Sequence, residues 1–388
     1  MHPLSTRERE RSVVPSSYGV LSNGQRAHTP TKNEYVLLMY MRLMTSTSLF
    51  DAFAAAALAA GTSKSSIDNY INRLRNAFGD SLADIAMSDG KKLDKAYDEL
   101  KKKYPNVSSR RNAITALLAF LRHVPPEALK STEKDMQNAR SRWGKYHEHM
   151  RAFQEARYKK HVPDVNQMQK YVGFDEIELK YQELKKMKNP HETLQQSQDI
   201  VLLSIIISTP PKRADLGAMR IVYKNEQEQQ QQQESENHIV INTTKMPPQA
   251  YMVMMQYKTS SSYGRIETDL PTKTVRDLLD SIRKWPRDFL FVTPRTGKKF
   301  TTNNAYGKWV QSVFSRLFGR ATGVTMLRHI FITEKVNFDQ MDDDQLEDLA
   351  RQMLHSPSLQ RKYNWNREKI CTLLTRMCPQ CKLPAKKK

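Results

Sequence analysis

Four polar side chains toward the end of the chain have the types and surroundings for chemistry on a phosphate: Arg328, His329, His355 and Tyr363. Arg328 lies in VTMLRHIFITEK, where Met326, Leu327, Ile330 and Phe331 have helical spacing, so a helix packed on one face would hold the guanidinium rigidly. His355 follows a second amphipathic run (Leu346, Leu349, Ala350, Met353, Leu354) and stands where Ser356-Pro357 ends it. Tyr363 comes eight residues later (363 − 355), flanked by Arg361, Lys362 and Trp365. An arginine grips two non-bridging phosphate oxygens at once. A histidine donates to a third or moves a proton, and a phenol can act as nucleophile.

Two further cations stand where a chain turns. Thr209-Pro210-Pro211 stops the apolar run Ile200 to Ile207, because two prolines cannot continue a helix, and Lys212-Arg213 follow at once. Lys258 lies in KTSSSY, between two strand-like runs, AYMVMMQY and GRIETDL. Taken alone, Lys258 reads as an ordinary solvated turn lysine.

The order LRHxFIT, a helix ending in LHS, and a tyrosine about eight residues on resembles the C-terminal signature of the tyrosine recombinases, the phage-type integrases. The family cuts and rejoins DNA through a 3′-phosphotyrosyl intermediate. The resemblance implies Arg213, Lys258, Arg328, His355 and Tyr363 as the catalytic set, in the family's order. YKTSSSYG…DLP is similar to the family's β-hairpin, whose lysine protonates the leaving 5′ oxygen; Lys258 is the candidate and Lys245 the weaker one. The family's usual arginine-to-acid spacing of three would select Lys212, since Arg213 is two residues before Asp215. The choice falls on Arg213, because a guanidinium alone gives a bidentate grip. A second departure is Thr325, where the family has His or Lys: threonine can hydrogen-bond a phosphate but is no base near neutrality. The implied reaction uses no metal and no nucleotide cofactor, and the implied assembly is a homo-oligomer, a tetramer on two duplexes of double-stranded DNA. Two other readings stay open: a type IB topoisomerase-like relaxing enzyme, and a catalytically inactive architectural DNA-binding relative.

Composition agrees with a polyanionic partner. The 388 residues carry 62 Lys and Arg against 41 Asp and Glu, a net charge of +21. Such an excess favours nucleic acid through counterion release and electrostatic steering. The mean hydropathy of −0.68 describes a polar chain. No secretory signal or membrane span is expected, and an intracellular, DNA-associated location follows. The three cysteines, Cys371, Cys378 and Cys381, form no disulfide framework. Their CxxC has no second pair, so no metal site is expected.

The elements that must position these groups divide the chain. Residues 1–32 lack periodicity and read as a flexible arm. Residues 33–158 are helical throughout, a bundle of roughly four to six helices. SKSSIDNYINRLRNAF within it has Ile67, Ile71, Leu74 and Phe78 on one face, a Ser65 or Ser66 cap, and a resemblance to the family's core-binding domain. The candidates for DNA phosphates here are Lys64, Arg73, Arg75, Arg110, Arg111, Arg140 and Arg142; the plainer reading is a solvated face. Residues 159–164 form the expected boundary. Residues 165–370 read as a catalytic domain of tyrosine-recombinase type, opening with helices over 166–188 and 192–208. It includes a disordered Gln-rich insertion at 225–237 and is followed by a basic tail at 371–388. The fold class expected is α+β: mainly α, an N-terminal helical bundle plus a mixed α/β domain with a small antiparallel β-sheet.

Overall fold

The computed structural model describes residues 48–224 and 236–377. The arm at 1–32, most of the Gln-rich insertion and the CxxC tail lie outside the described residues. The chain forms two compact units that divide between Arg151 and Ala152, earlier than the expected boundary at 159–164.

The first unit contains, among the described residues, six α-helices and no strand: α1 (Leu49–Ala59), α2 (Lys64–Phe78), α3 (Leu82–Met87), α4 (Gly90–Lys103), α5 (Val107–His123) and α6 (Glu133–Lys159). Its core gathers Phe53, Leu74, Leu117, Phe120 and Trp143, all fully buried. Met136, Ala139, Trp143 and Met150 bury one face of α6 in this core, which is why the unit ends soon after Met150 although the helix runs on. The cap of α2 is Ser63 rather than Ser65 or Ser66. Its hydroxyl accepts the Ser66 N–H at 3.3 Å, satisfying one of the orphan donors of the first turn. Asn106 caps α5 by accepting from the amides of Ser108 and Ser109.

The second unit is α+β. Its helices are α7 (Val165–Met168), α8 (Phe174–Lys185), α9 (Leu194–Ser208), α10 (Ser260–Tyr263), α11 (Thr272–Lys284), α12 (Asn303–Phe318), α13 (Val324–Lys335), α14 (Asp343–Gln352), α15 (Pro357–Tyr363) and α16 (Arg367–Met377). The single helix expected over 166–188 is two, because the chain is extended at Gly173, which starts α8. The capping box of Thr193 and Gln196 starts α9, which is buried almost all round and packs on α8 and α11. A helix apolar on every face must sit inside.

The sheet is small but mixed, which corrects the antiparallel expectation. Its order is β1 (Arg220–Tyr223), β2 (His238–Asn242), β3 (Gln249–Met254), β4 (Ile266–Asp269). β1 pairs with β2 in parallel, Ile221 opposite Ile239, while β2–β3 and β3–β4 are antiparallel. The stretch DFLFVT makes isolated bridges in place of a regular strand: Phe289 pairs with Arg220, and Leu290 N–H reaches Met219 O at 2.8 Å. No helix of the described residues is long and apolar enough to cross a membrane.

One glycine sets how closely the arginine turn approaches the core. The 3₁₀ turn Ala214–Ala218 packs on α12, and a Cβ on Gly217 would lie 2.5 Å from the Cβ of Tyr306. Tyr306 is buried among Phe291, Phe300 and Trp309 and cannot swing aside. Gly217→Ala is therefore expected to cost about 1–3 kcal/mol through overpacking, read as a lower melting temperature. An unchanged melt would show that the turn has room.

Candidate active site

A cleft of about 690 Å³ in the second unit is lined by Arg213, Asp215, Gln256, Lys258, Asn303, Thr325, Arg328 and Tyr363, among others. Four of the five catalytic candidates thus share one cavity. The fifth, His355, is fully buried and meets two of them directly.

Arg328 projects from α13, whose Met326, Leu327, Ile330 and Ile332 are buried. It is 3% exposed itself. Its Nη2 donates to Met353 O at 3.2 Å and, closer, to His355 Nδ1. Arginine has no acceptor, so Nδ1 accepts and the imidazole proton is assigned to Nε2. Burial, reinforced by the charges of Arg328 and Arg213, pushes His355 down to about 3. It is a neutral ring at physiological pH, a donor and not a cation. Burial also lowers Arg328, to about 10, which leaves it charged.

His355 is delivered by a helix end of specific geometry. His355 N–H bonds Ala350 O, and Leu354 N–H bonds Arg351 O, each at 3.0 Å, which is the paired pattern of a Schellman cap. The cap needs a left-handed residue, and Leu354 supplies it at φ 58° where glycine is usual. A leucine there carries steric strain, on the order of 1–2 kcal/mol. Its side chain is fully buried in the main core, which offsets that strain.

Tyr363 ends α15. Its ring lies 5.0 Å from the Arg328 guanidinium carbon and stacks on His355 at 5.4 Å between centroids. The next residues are held from two sides. His329 Nδ1 meets Tyr363 O at 3.0 Å, and His161, on the segment that follows α6, meets Asn364 O at 2.8 Å.

Lys258 is placed by bonds on either side of it. Asn237 Oδ1 accepts the amides of Met255 and Gln256 at 2.8 Å each, and its Nδ2 donates to Gln256 O at 2.8 Å. On the far side Thr259 donates to Leu354 O and Tyr263 to His355 O, both at 3.3 Å. The connection from β3 to β4 is thus pinned to the turn that carries His355. Lys258 is exposed on the cleft wall.

The adjacent cations Lys212 and Arg213 have different fates. Lys212 is 3% exposed, bonded to Thr268 Oγ1 and Gln352 O at 2.9 and 2.8 Å, and pushed down to about 8 by burial. It joins β4 to the end of α14 and does not line the cleft. Arg213 does. Asp215 beside it has its carboxyl raised by burial and pulled back by Arg213 and by Asn303, whose Nδ2 lies 3.2 Å from Oδ1.

Of the nine buried polar side-chain atoms without a protein partner among the described residues, four lie at this site: Arg213 Nε, Asp215 Oδ2, Arg328 Nε and His355 Nε2. Buried polar groups are nearly always paired, since an unmade bond costs about 1–3 kcal/mol. Three of these atoms are donors. A tetrahedral anion offers several acceptor oxygens to such a set, and a metal cation offers none.

The candidates in the first unit are placed less uniformly. Lys64, Arg73 and Arg75 are exposed, with Arg75 over the Phe50 ring at 4.8 Å. Arg110 donates to Tyr104 O, Arg140 to Leu121 O, and Arg142 to Ser88 O and Met87 O, all within 3.0–3.2 Å. These three arginines satisfy carbonyls at the ends of α4, α5 and α3, an architectural use of guanidinium that competes with phosphate binding. Arg111 is partly buried on α5. Asn237 and Asn303 escaped the sequence reading, since no local pattern marks an asparagine that braces a distant loop.

The chain matches no protein-family model and no curated protein. Among solved structures it is similar to the crystal structure of XerA recombinase, at 14% identity and a TM-score of 0.34, over 86% of this chain and 99% of that one. That likeness is weak.

The depressed histidines make stability pH-dependent. His329 is lowered to about 4 by burial and His355 to about 3, against 6.5 in an unfolded chain. Below pH 6.5 the unfolded state binds protons that the folded state refuses, so stability falls as pH drops toward 4. Each histidine contributes up to about 1.4 kcal/mol per pH unit in that window. Chemical denaturation at pH 7 and pH 5 should show a smaller loss for His355→Gln than for wild type. Equal losses would mean that His355 protonates freely in the folded chain.

Proposed function

We propose that this protein is a DNA strand-transfer enzyme, a site-specific tyrosine recombinase or integrase. The single observation that carries the reading is the convergence of Arg213, Lys258, Arg328 and Tyr363 on one cleft, with neutral His355 locked against Arg328 and Tyr363. The unpartnered donors of the two arginines and of His355 suit the oxygens of a phosphodiester.

In this mechanism the Tyr363 oxygen attacks the scissile phosphorus, forming a phosphotyrosyl bond as the P–O5′ bond breaks. Lys258 gives a proton to the departing 5′ oxygen, and the phenol's proton passes to water. Arg213 and Arg328 take up the charge that grows on the non-bridging oxygens, where preorganised donors count most. His355 adds its Nε2–H to the same oxygens. Thr325, exposed on the cleft wall, supplies at most a hydrogen bond. The covalent bond conserves the phosphodiester's energy, so a 5′-hydroxyl from a second duplex can reseal the strand. Double-stranded DNA is the substrate, the net charge of +21 draws it in, and a tetramer on two duplexes carries out exchange inside the cell. A topoisomerase would share the cleavage step and reseal the same strand.

On a nicked suicide duplex in EDTA, wild type is expected to form a covalent protein–DNA adduct and Tyr363→Phe none. Lys258→Ala is expected to cleave at least about 100-fold more slowly on ordinary DNA. It should recover on a substrate with a 5′-bridging sulfur, whose leaving group needs no proton. Adduct formation by Tyr363→Phe would remove the nucleophile assignment. A Lys258→Ala defect that sulfur leaves untouched would remove the acid. Joining of strands from two duplexes favours the recombinase over the relaxing enzyme.

A further inference from the structure

His329 takes no part in that chemistry, yet it is 5% exposed and tied to the nucleophile's segment by several contacts. Its Nδ1 lies 3.0 Å from the Tyr363 carbonyl oxygen, which can only accept, so the ring carries its proton at Nδ1. The ring meets the Tyr363 ring edge-on, at 4.4 Å and 88°, and stacks on Trp365 at 4.2 Å and 12°. One turn further along α13, Thr333 Oγ1 donates to the same carbonyl at 3.4 Å and accepts the Trp365 N–H at 3.1 Å. Arg328 and His329 are consecutive residues of one helix. The element that presents a guanidinium to the cleft therefore also holds the backbone at Tyr363 and at Trp365.

We propose that His329 is a positioning residue whose Nδ1–H bond to the Tyr363 carbonyl, with its stacking on Trp365, sets how the phenol enters the cleft beside Arg328. The inference rests on Tyr363 being the nucleophile. The carbonyl already engages the one proton of the ring, so His329 acts on Tyr363 through its backbone and not by proton transfer. Reacting groups must be placed within fractions of an ångström, and a 1 Å error can cost about 100-fold in rate. A hydrogen bond to the nucleophile's own carbonyl acts on that coordinate directly.

Two substitutions separate the bond from the packing. His329→Phe keeps a ring to stack on Trp365 but has no N–H. His329→Asn places an amide N–H near the Nδ1 position but lacks the ring. In the full-length chain, His329→Phe is expected to lower the single-turnover cleavage rate at least about tenfold without changing DNA affinity. His329→Asn is expected to recover most of that loss. Hydrogen exchange gives a readout without catalysis: the amides of Asn364–Asn366 should exchange faster in His329→Phe than in wild type and His329→Asn. Cleavage by His329→Phe at the wild-type rate overturns the inference, as do equal losses in both variants, which would mark a packing role alone. A wild-type chain that forms no adduct overturns the phosphotyrosine reading and the catalytic half of this one. Unaltered exchange in His329→Phe overturns the inference alone.

Discussion

The site depends on one buried contact, the guanidinium of Arg328 against Nδ1 of His355. A charged group this deep is costly unless its donors are met. Two of its bonds go to the α14–α15 turn, to Met353 O and to His355. The same contact fixes the histidine as a neutral Nε2–H donor. It also brings together the rest of the cleft: the β3–β4 connection is bonded to Leu354 O and His355 O, and Tyr363 stacks on the ring. Removing either partner would leave the other buried without this bond, a loss of about 1–3 kcal/mol.

Backbone features add to the preorganisation that the Arg328–His355 contact begins. Pro210-Pro211 and the close packing at Gly217 aim Arg213, the left-handed Leu354 turns the chain so that His355 faces inward, and Asn237 brackets the approach to Lys258. The outcome is a set of donors whose valences are left open in a desolvated place. Such donors need no reorganisation when charge develops, which is where electrostatic catalysis gains most. The fate of Lys212 fits this economy: it bonds fully to protein oxygens and leaves the open valences to its neighbour.

Much of this was legible in the chain, and the illegible parts share a cause. The helices around Arg328 and His355 announced themselves by period, because burial of one face is a local property of sequence, and Ile200–Ile207 by being apolar throughout. The broken helix at Gly173 and the Ser63 cap were missed by a few residues, since neighbouring serines compete as caps and only the folded turn decides. The antiparallel pairing of β3 with β4 was legible, but the parallel direction of β1 was not. A four-residue run such as RIVY looks the same whether its neighbour is parallel or antiparallel. Arg110, Arg140 and Arg142 show the deeper difficulty: an arginine that satisfies a carbonyl at a helix end and one that meets a phosphate are the same letter. The choice of Arg213 over Lys212 rested on the different geometries of guanidinium and ammonium. The bracing roles of Asn237 and His329 depend on contacts 18 and 34 residues away, and no local pattern encodes them.

The central claim is that the cleft builds a phosphodiester between Tyr363 and the 3′ side of a cut DNA strand. The most direct measurement is the chemical identity of that linkage. A covalent complex is digested with nuclease and protease, and the attachment site and end polarity are read by mass spectrometry. The account predicts a 3′-phosphoryl nucleotide on Tyr363 and a free 5′-hydroxyl on the released strand. Attachment at another residue, a 5′-phosphoryl linkage, or cut ends with no protein attached would contradict it.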